Sequence, residues 1–326
     1  ARYVVSGSVQ REAADLRINV RLTDARTSEQ LWSQRFERPF GDLFAIQNEI
    51  SRSLTQQLPG KISEAELRRL AKRYTHSPEA YEHFLRGQAL FLVRRPEENR
   101  QARAFYAKAV ELDPKFARAY AGLAMTHAMD YRYQKSAESA DALDRALQLA
   151  ETARLIDPGI PDVHWALGFV HTQRRRHSEA IASLQKAIEL NRSYADAYAL
   201  IGGIHTYTGQ PAKAIALLRT ALRLNPDGGY LYFLILGRAY LFENDLQQAL
   251  INLREALARN PDDVETRAYL VAALVADGNR AAAEWEADLM RVHEEGFSAR
   301  GWLETYPMTS APHKERLVEL LSKVGL

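Results

Sequence analysis

Three histidines, His127, His171 and His205, return at similar distances along the chain, and imidazole is the commonest protein ligand for a metal ion. A shared ion would need its ligand nitrogens at about 2.0–2.1 Å. These three instead fill one position of a sequence repeat, and successive repeats set such residues about a helix diameter apart, roughly 10 Å. Packing is the expected role, and His164, seven residues before His171, meets the same objection. A second candidate is the basic run QRRRH, Gln173–His177. It suits an acidic or phosphorylated partner, or simply a solvated turn. The stretch LRRLAKR, Leu67–Arg73, is read as a wet helix face or a docking patch. There is no glycine-rich phosphate loop before a lysine, no G-x-S-x-G and no H-E-x-x-H. With no cysteine, thiolate nucleophiles, disulfides and Cys-type metal sites are excluded. No catalytic residue, metal or cofactor is expected.

The residues that recur most strictly mark helix ends. AVELDP ends at Pro114, ARLIDP at Pro158, ALRLNP at Pro226 and ALARNP at Pro261, with Arg192 where a further proline would stand. The intervals are 44, 34, 34 and 35 residues; about 34 is the period of a helix-turn-helix solenoid, and the first interval carries a ten-residue excess. Alanine recurs at 102, 146, 180, 214, 249 and 283, and seven residues later at 109, 153, 187, 221 and 256, with Met290 closing the series. Small residues there imply close backbone approach, where added volume would overpack the contact by roughly 1–3 kcal/mol. Proline after Asp or Asn ends each second helix, because it cannot continue a helix and pushes its predecessor out of the α region. No unit can bury its apolar face alone, so neighbours must stack and leave a concave wall.

With YAGLA from Tyr120, WALGF from Trp165, YALIGG from Tyr198 and FLILGR from Phe233 on the first helices, the chain resembles the tetratricopeptide repeat. Six units are expected, opening near Ala80, Ala117, Pro161, Ala195, Tyr230 and Val264, with insertions around RRPEEN and MDYRYQKSAESAD. The resemblance implies a mainly α solenoid over residues 77–292, capped by helices over 293–326 that include the apolar set Leu317, Leu320, Leu321 and Val324. It also implies an inner wall formed by Tyr81, Phe84, Arg118, Met125, Asp162, Trp165, Phe169, Gln173, Asp196, Tyr207, Arg238 and Phe242, joined by Gln88, Phe91 and Met129. Aromatic side chains with a few charges suit an extended peptide or a helix. The Lys and Asn set with which some family members clamp a terminal carboxylate is missing.

Residues 1–58 do not repeat. Tyr3, Val5, Gly7 and Val9, then Leu16, Ile18, Val20 and Leu22, then Trp32 and Phe36 alternate with polar residues, the signature of strands with one buried face. A three-stranded antiparallel sheet is expected, followed by a helix capped by Asp42 and carrying Leu43, Ile46, Ile50 and Leu54. Its edge could pair with a second copy through residues 1–38. Through RYVVSGSVQ, RLTDARTSEQLW and FGDLFAIQNEI this segment resembles the later half of the TolB amino-terminal-like domain. That resemblance implies a bacterial signalling protein in which a class III nucleotide cyclase or winged-helix domain lies upstream. Residues 59–76 read as a helical connector.

The balance of 43 basic against 41 acidic residues offers no broad field for nucleic acid or an anionic membrane. LYFLIL and YLVAALVA fall short of the roughly 20 apolar residues a membrane helix needs. The chain opens on Ala1, which suggests a fragment or processed form. The expected function is therefore a non-catalytic protein- or peptide-binding module, cytoplasmic, or periplasmic if a membrane segment precedes it. The alternatives are the carboxy-terminal region of a nucleotide cyclase and the sensor region of a transcription regulator.

Overall fold

Alternation of apolar and polar residues produces β1 (Tyr3–Glu12), β2 (Asp15–Asp24) and β3 (Gln30–Pro39), paired antiparallel in the order β1-β2-β3. The structure is a computed structural model that describes residues 3–12, 15–25, 28–39, 74–133, 140–226, 228–294 and 296–326. It divides into two units, Ala1–Pro78 and Glu79–Leu326.

In the first unit the register sets Ile18 against Phe36 and Leu22 against Trp32. Val20, Leu22 and Phe36 are buried on that face. Gly7 lies opposite Val20, and a Cβ there would stand 2.9 Å from the Asn19 carbonyl oxygen. On the opposite face Arg17 Nε donates to Glu37 at 2.7 Å and Arg35 pairs with the same carboxylate. Val5 and Val9 depart from expectation, being 46% and 65% exposed. A period of two fixes which side chains share a face, but it does not supply a layer to cover them. The expected helix with Leu43, Ile46, Ile50 and Leu54 lies outside the described residues, as does most of the connector.

The second unit holds fourteen helices among the described residues. Six antiparallel pairs form its body. They are α1 (Pro78–Phe91) with α2 (Pro96–Leu112), α3 (Ala117–Tyr133) with α4 (Ala140–Ile156), and α5 (Pro161–Gln173) with α6 (His177–Leu190). Next come α7 (Ala195–Tyr207) with α8 (Pro211–Leu224), α9 (Tyr230–Phe242) with α10 (Leu246–Arg259), and α11 (Val264–Ala276) with α12 (Arg280–His293). A short α13 (Ala299–Thr305) and α14 (Ala311–Ser322) follow.

Each second helix ends by one device. The caps Asp113, Asn191, Asn225 and Asn260 leave the helical region, and their N–H groups donate to the carbonyls of Ala109, Ala187, Ala221 and Ala256. Asp113 and Asn191 also accept, through the side chain, from the N–H two residues on, at 2.9 and 3.0 Å. That side-chain turn explains why Asp or Asn stands there even where Arg192 replaces proline.

Every alanine of the two recurring series is fully buried. A Cβ at Gly168, Gly202 or Gly237 would come within 2.1–2.6 Å of Leu184, Leu218 or Leu253 on the partner helix. The same two positions of the sixth pair hold Val271 and Ala287, both buried. Bulk has moved from one helix to the other, with the shared volume kept.

Candidate functional site

The inner wall is built from α3, α5, α7, α9 and the start of α11, whose adjacent members pack side by side. It encloses a cavity of about 960 Å3. Six of the twelve residues expected on the wall line it: Trp165, Phe169, Gln173, Asp196, Tyr207 and Arg238. Met129 lines it too. The others are placed differently. Tyr81 and Phe84 are buried, with Phe84 5.2 Å and Tyr81 6.3 Å from the Phe116 ring, so they close the seam between the first two pairs. Arg118 lies over the Phe84 ring and pairs with Asp162 at 2.8 Å. Met125 is half-buried. Phe242 is covered by His313, stacked at 3.9 Å.

That stack belongs to a contact the repeat pattern could not show. The segment around α13 runs back along the wall, and Phe297 and Trp302 become part of the cavity lining. Tyr306 is fully buried. Its hydroxyl meets Arg238, Glu265 and, at 3.2 Å, Tyr269. Arg238 is 1% exposed, lies 4.2 Å over the Tyr207 ring and pairs with Glu265 at 3.2 Å. Arg132, at the end of α3, reaches the other Glu265 oxygen at 3.0 Å and lies over the Tyr306 ring. Burial alone would raise the Glu265 carboxyl, but Arg132 and Arg238 outweigh it and hold the group below its ordinary value. Burial pushes the Tyr306 and Tyr269 hydroxyls up, so both stay protonated and can donate.

The tail is held elsewhere as well. Thr309 and Ser310 N–H groups donate to the Tyr207 carbonyl at 3.0 Å. Arg175, from the basic run, donates to the carbonyls of Glu304 and Tyr306, where α13 ends. Neighbouring Arg174 pairs with Asp144. The run is thus partly spent on the chain itself. Leu317, Leu320, Leu321 and Val324 are buried, and α14 packs on α11.

Across the mouth, Arg95 pairs with Asp262, so the first pair meets the entry to the sixth. At the rim of α7 and α9, Tyr232 donates to Asp196 at 2.5 Å and Trp165 Nε1 to the Asp196 carbonyl at 3.1 Å. Asp263, which caps α11 and accepts from Thr266, is pushed up by burial. Four buried polar atoms on residues lining the cavity lack a partner among the described residues, Arg94 Nε, Glu98 Oε2, Gln173 Oε1 and Arg238 Nε. The site can therefore take an apolar body against Trp165 and Phe169 and a polar group at its floor. His127, His171 and His205 sit half-buried on α3, α5 and α7, each with its imidazole pushed down by burial. Sequence reasoning missed Tyr306, Arg132, Glu265 and Arg94 on this site; for Arg94 a signal existed, an arginine two residues before a second helix where other pairs carry Gly209, Asn244 and Gly278.

Residues 172–234 and 231–263 each match a tetratricopeptide repeat model. Among solved structures the chain is similar to a chain of the APC/C hetero-tetramer Cut9–Hcn1, at 18% identity with a TM-score of 0.50, covering 81% of this chain and 45% of that one. It is also similar to a thermophilic TPR protein of Thermus thermophilus, at 21% identity with a TM-score of 0.48, covering 60% and 99%. Over 179 residues, 55% of this chain, it is 34% identical to a protein of Rhizobium meliloti (strain 1021) named "Putative adenylate cyclase 3". The match spans 30% of that relative's length. No helix among the described residues is long and apolar enough to cross a membrane. The repeats mark the second unit as a protein-interaction solenoid.

Proposed function

We propose that the second unit captures a short protein segment or peptide in the cavity of its inner wall. The observation that carries this reading is the cavity itself: about 960 Å3, walled by Trp165, Phe169 and Tyr232, with Arg238 buried at its floor. That volume lies at the upper end of the roughly 300–1,000 Å3 of ordinary ligand pockets. The chain's own tail occupies part of the groove through Tyr306 and His313, which favours a few residues over a whole helix. Tyr306 supports the reading too, since it illustrates how the wall receives an aromatic side chain with a polar tip.

Gly203 gives a clean test. It lines the cavity, and a Cβ there would meet Arg238 and Ile235 at 3.5–3.6 Å, ordinary contact distances. Gly203→Leu should narrow the hollow beside Arg238 and Ile235 and remove a glycine from a helix interior, which favours the helix. In a peptide-display selection, sequences enriched on the wild type should be lost on Gly203→Leu while helical circular dichroism is retained. Enrichment of the same sequences on both proteins would end the proposal.

On the larger scale we infer that the chain is the regulatory part of a bacterial signalling protein, its first unit being the later half of a TolB-like domain. The cyclase-named relative favours an upstream nucleotide cyclase over a winged-helix domain. Reading the coding sequence before the Ala1 codon would decide: a winged-helix pattern there would reverse that preference.

A further inference from the structure

In the five helix pairs whose turns are described, the turn between the two helices has a fixed geometry. Two residues before the second helix, Arg94, Arg175, Gly209, Asn244 and Gly278 all take a positive φ, between 58° and 80°. Glycine and asparagine adopt that conformation readily, whereas arginine is disfavoured there. Arg175 has a visible reason: its guanidinium collects the carbonyl oxygens that end α13.

Arg94 has no equivalent inside the chain. Its guanidinium lies 4.6 Å over the Phe91 ring and 5.7 Å over Phe169. Its hydrogen bond goes to the Met129 sulfur at 3.5 Å, a weak acceptor, and its Nε is buried without a partner. Every other arginine lining the cavity pairs with a carboxylate: Arg95 with Asp262, Arg100 with Glu97, and Arg132 and Arg238 with Glu265. Asp263 feels the charge of Arg94, yet the two form no ion pair. A cation so placed, stacked on Phe91 and Phe169 and without a carboxylate of its own, is suited to an oxyanion brought from outside.

We propose that Arg94 anchors the carboxylate of a ligand whose neighbouring apolar group lies against Phe169 and Trp165. This rests on the cavity being the binding site. The carboxylate could end a peptide or belong to a free organic acid. Isothermal titration calorimetry reads both.

Four titrations test it: acetyl-Ala-Ala-Phe as the acid, the same tripeptide as the carboxamide, indole-3-acetate, and an acetylated, amidated hexapeptide pool of random interior. The wild type should bind the acid about tenfold or more tightly than the carboxamide, the effect of a hydrogen-bonded charge. Arg94→Gly should erase that preference with no loss of melting temperature, since glycine already serves this turn at 209 and 278. Indole-3-acetate binding without the tripeptide would keep the carboxylate anchor and remove the peptide. Equal affinity for acid and carboxamide, or a preference that survives Arg94→Gly, would overturn the inference while leaving peptide capture intact. Failure of both carboxylates with capture of the random pool would do the same, and failure of all four probes would overturn both.

Discussion

At the residue scale, Glu265 is the group on which the inner wall converges. It is paired with Arg132 and Arg238 and accepts from Tyr306, with its side chain 21% exposed. Replacing the whole knot with apolar residues need cost little, but removing one member strands the rest, at about 3–5 kcal/mol for a buried pair. Glu265→Gln should therefore lower the denaturation free energy by about that amount. Tyr306→Phe, which removes one hydroxyl and keeps the packing, should cost about 1–3 kcal/mol. Urea melts of both variants give the comparison, and the opposite order would show that Tyr306, not Glu265, holds the charges. None of this was legible in sequence, because Arg238 and Tyr306 stand 68 residues apart and only one of them belongs to a repeat. The wall was half legible. The resemblance to the repeat put Trp165, Phe169, Gln173, Asp196, Tyr207 and Arg238 on an inner wall, and they line the cavity, but the same positions of the first pair gave Tyr81 and Phe84, which the seam with Phe116 takes into the core.

At the element scale, the helix pair is a volume rule. In three successive pairs glycine faces leucine, and in the sixth Val271 faces toward the position of Ala287. Gly237 has Leu253 Cγ 2.5 Å from where its Cβ would be, so Gly237→Val alone should destabilise by roughly 1–3 kcal/mol through overpacking. Leu253→Ala alone should cost about 2–5 kcal/mol through the space it leaves. Combined, the two reproduce the sixth pair, and the double variant should be more stable than the sum of its parts by at least about 1 kcal/mol. Additive losses in a double-mutant cycle would mean the two positions do not share a volume. Helix starts were the most legible feature of the chain: α3, α5, α7, α9 and α11 open at Ala117, Pro161, Ala195, Tyr230 and Val264, the residues from which the repeat was counted. They are legible because proline, Asx turns and small residues act within a few positions of where they stand. The sheet was legible in its strands and not in its cover, since Val5 and Val9 obey the alternation and are still exposed.

At the scale of the whole molecule, the repeat leaves a groove open and the non-repeating tail covers part of it, a contact that carries no period and so leaves no pattern to read. The solenoid as a whole also has a common acid sensitivity. His127, His171, His177, His205 and His313 all lie in it, and in each case burial, the largest cause, pushes the imidazole below its usual value near 6.5. His313 stands where α14 meets Phe242, so protonation there also opposes tail closure. A base with a lowered native value is more readily protonated in the unfolded chain. As pH falls through about 6.5 toward the native values, the unfolded state binds more protons and stability declines. Glu265 acts in a separate window: its native value is below 4.5, so its contribution is complete above that pH and is lost only in stronger acid. Calorimetry from pH 7.5 to 5.5 should therefore show a melting temperature steady above about 7 and falling below 6.5. Replacing His177 and His313 with glutamine should flatten that slope. A melting temperature that holds or rises on acidification through this range would mean the imidazoles are protonated in the folded protein, and that the solenoid is more open to water around them than its packing indicates.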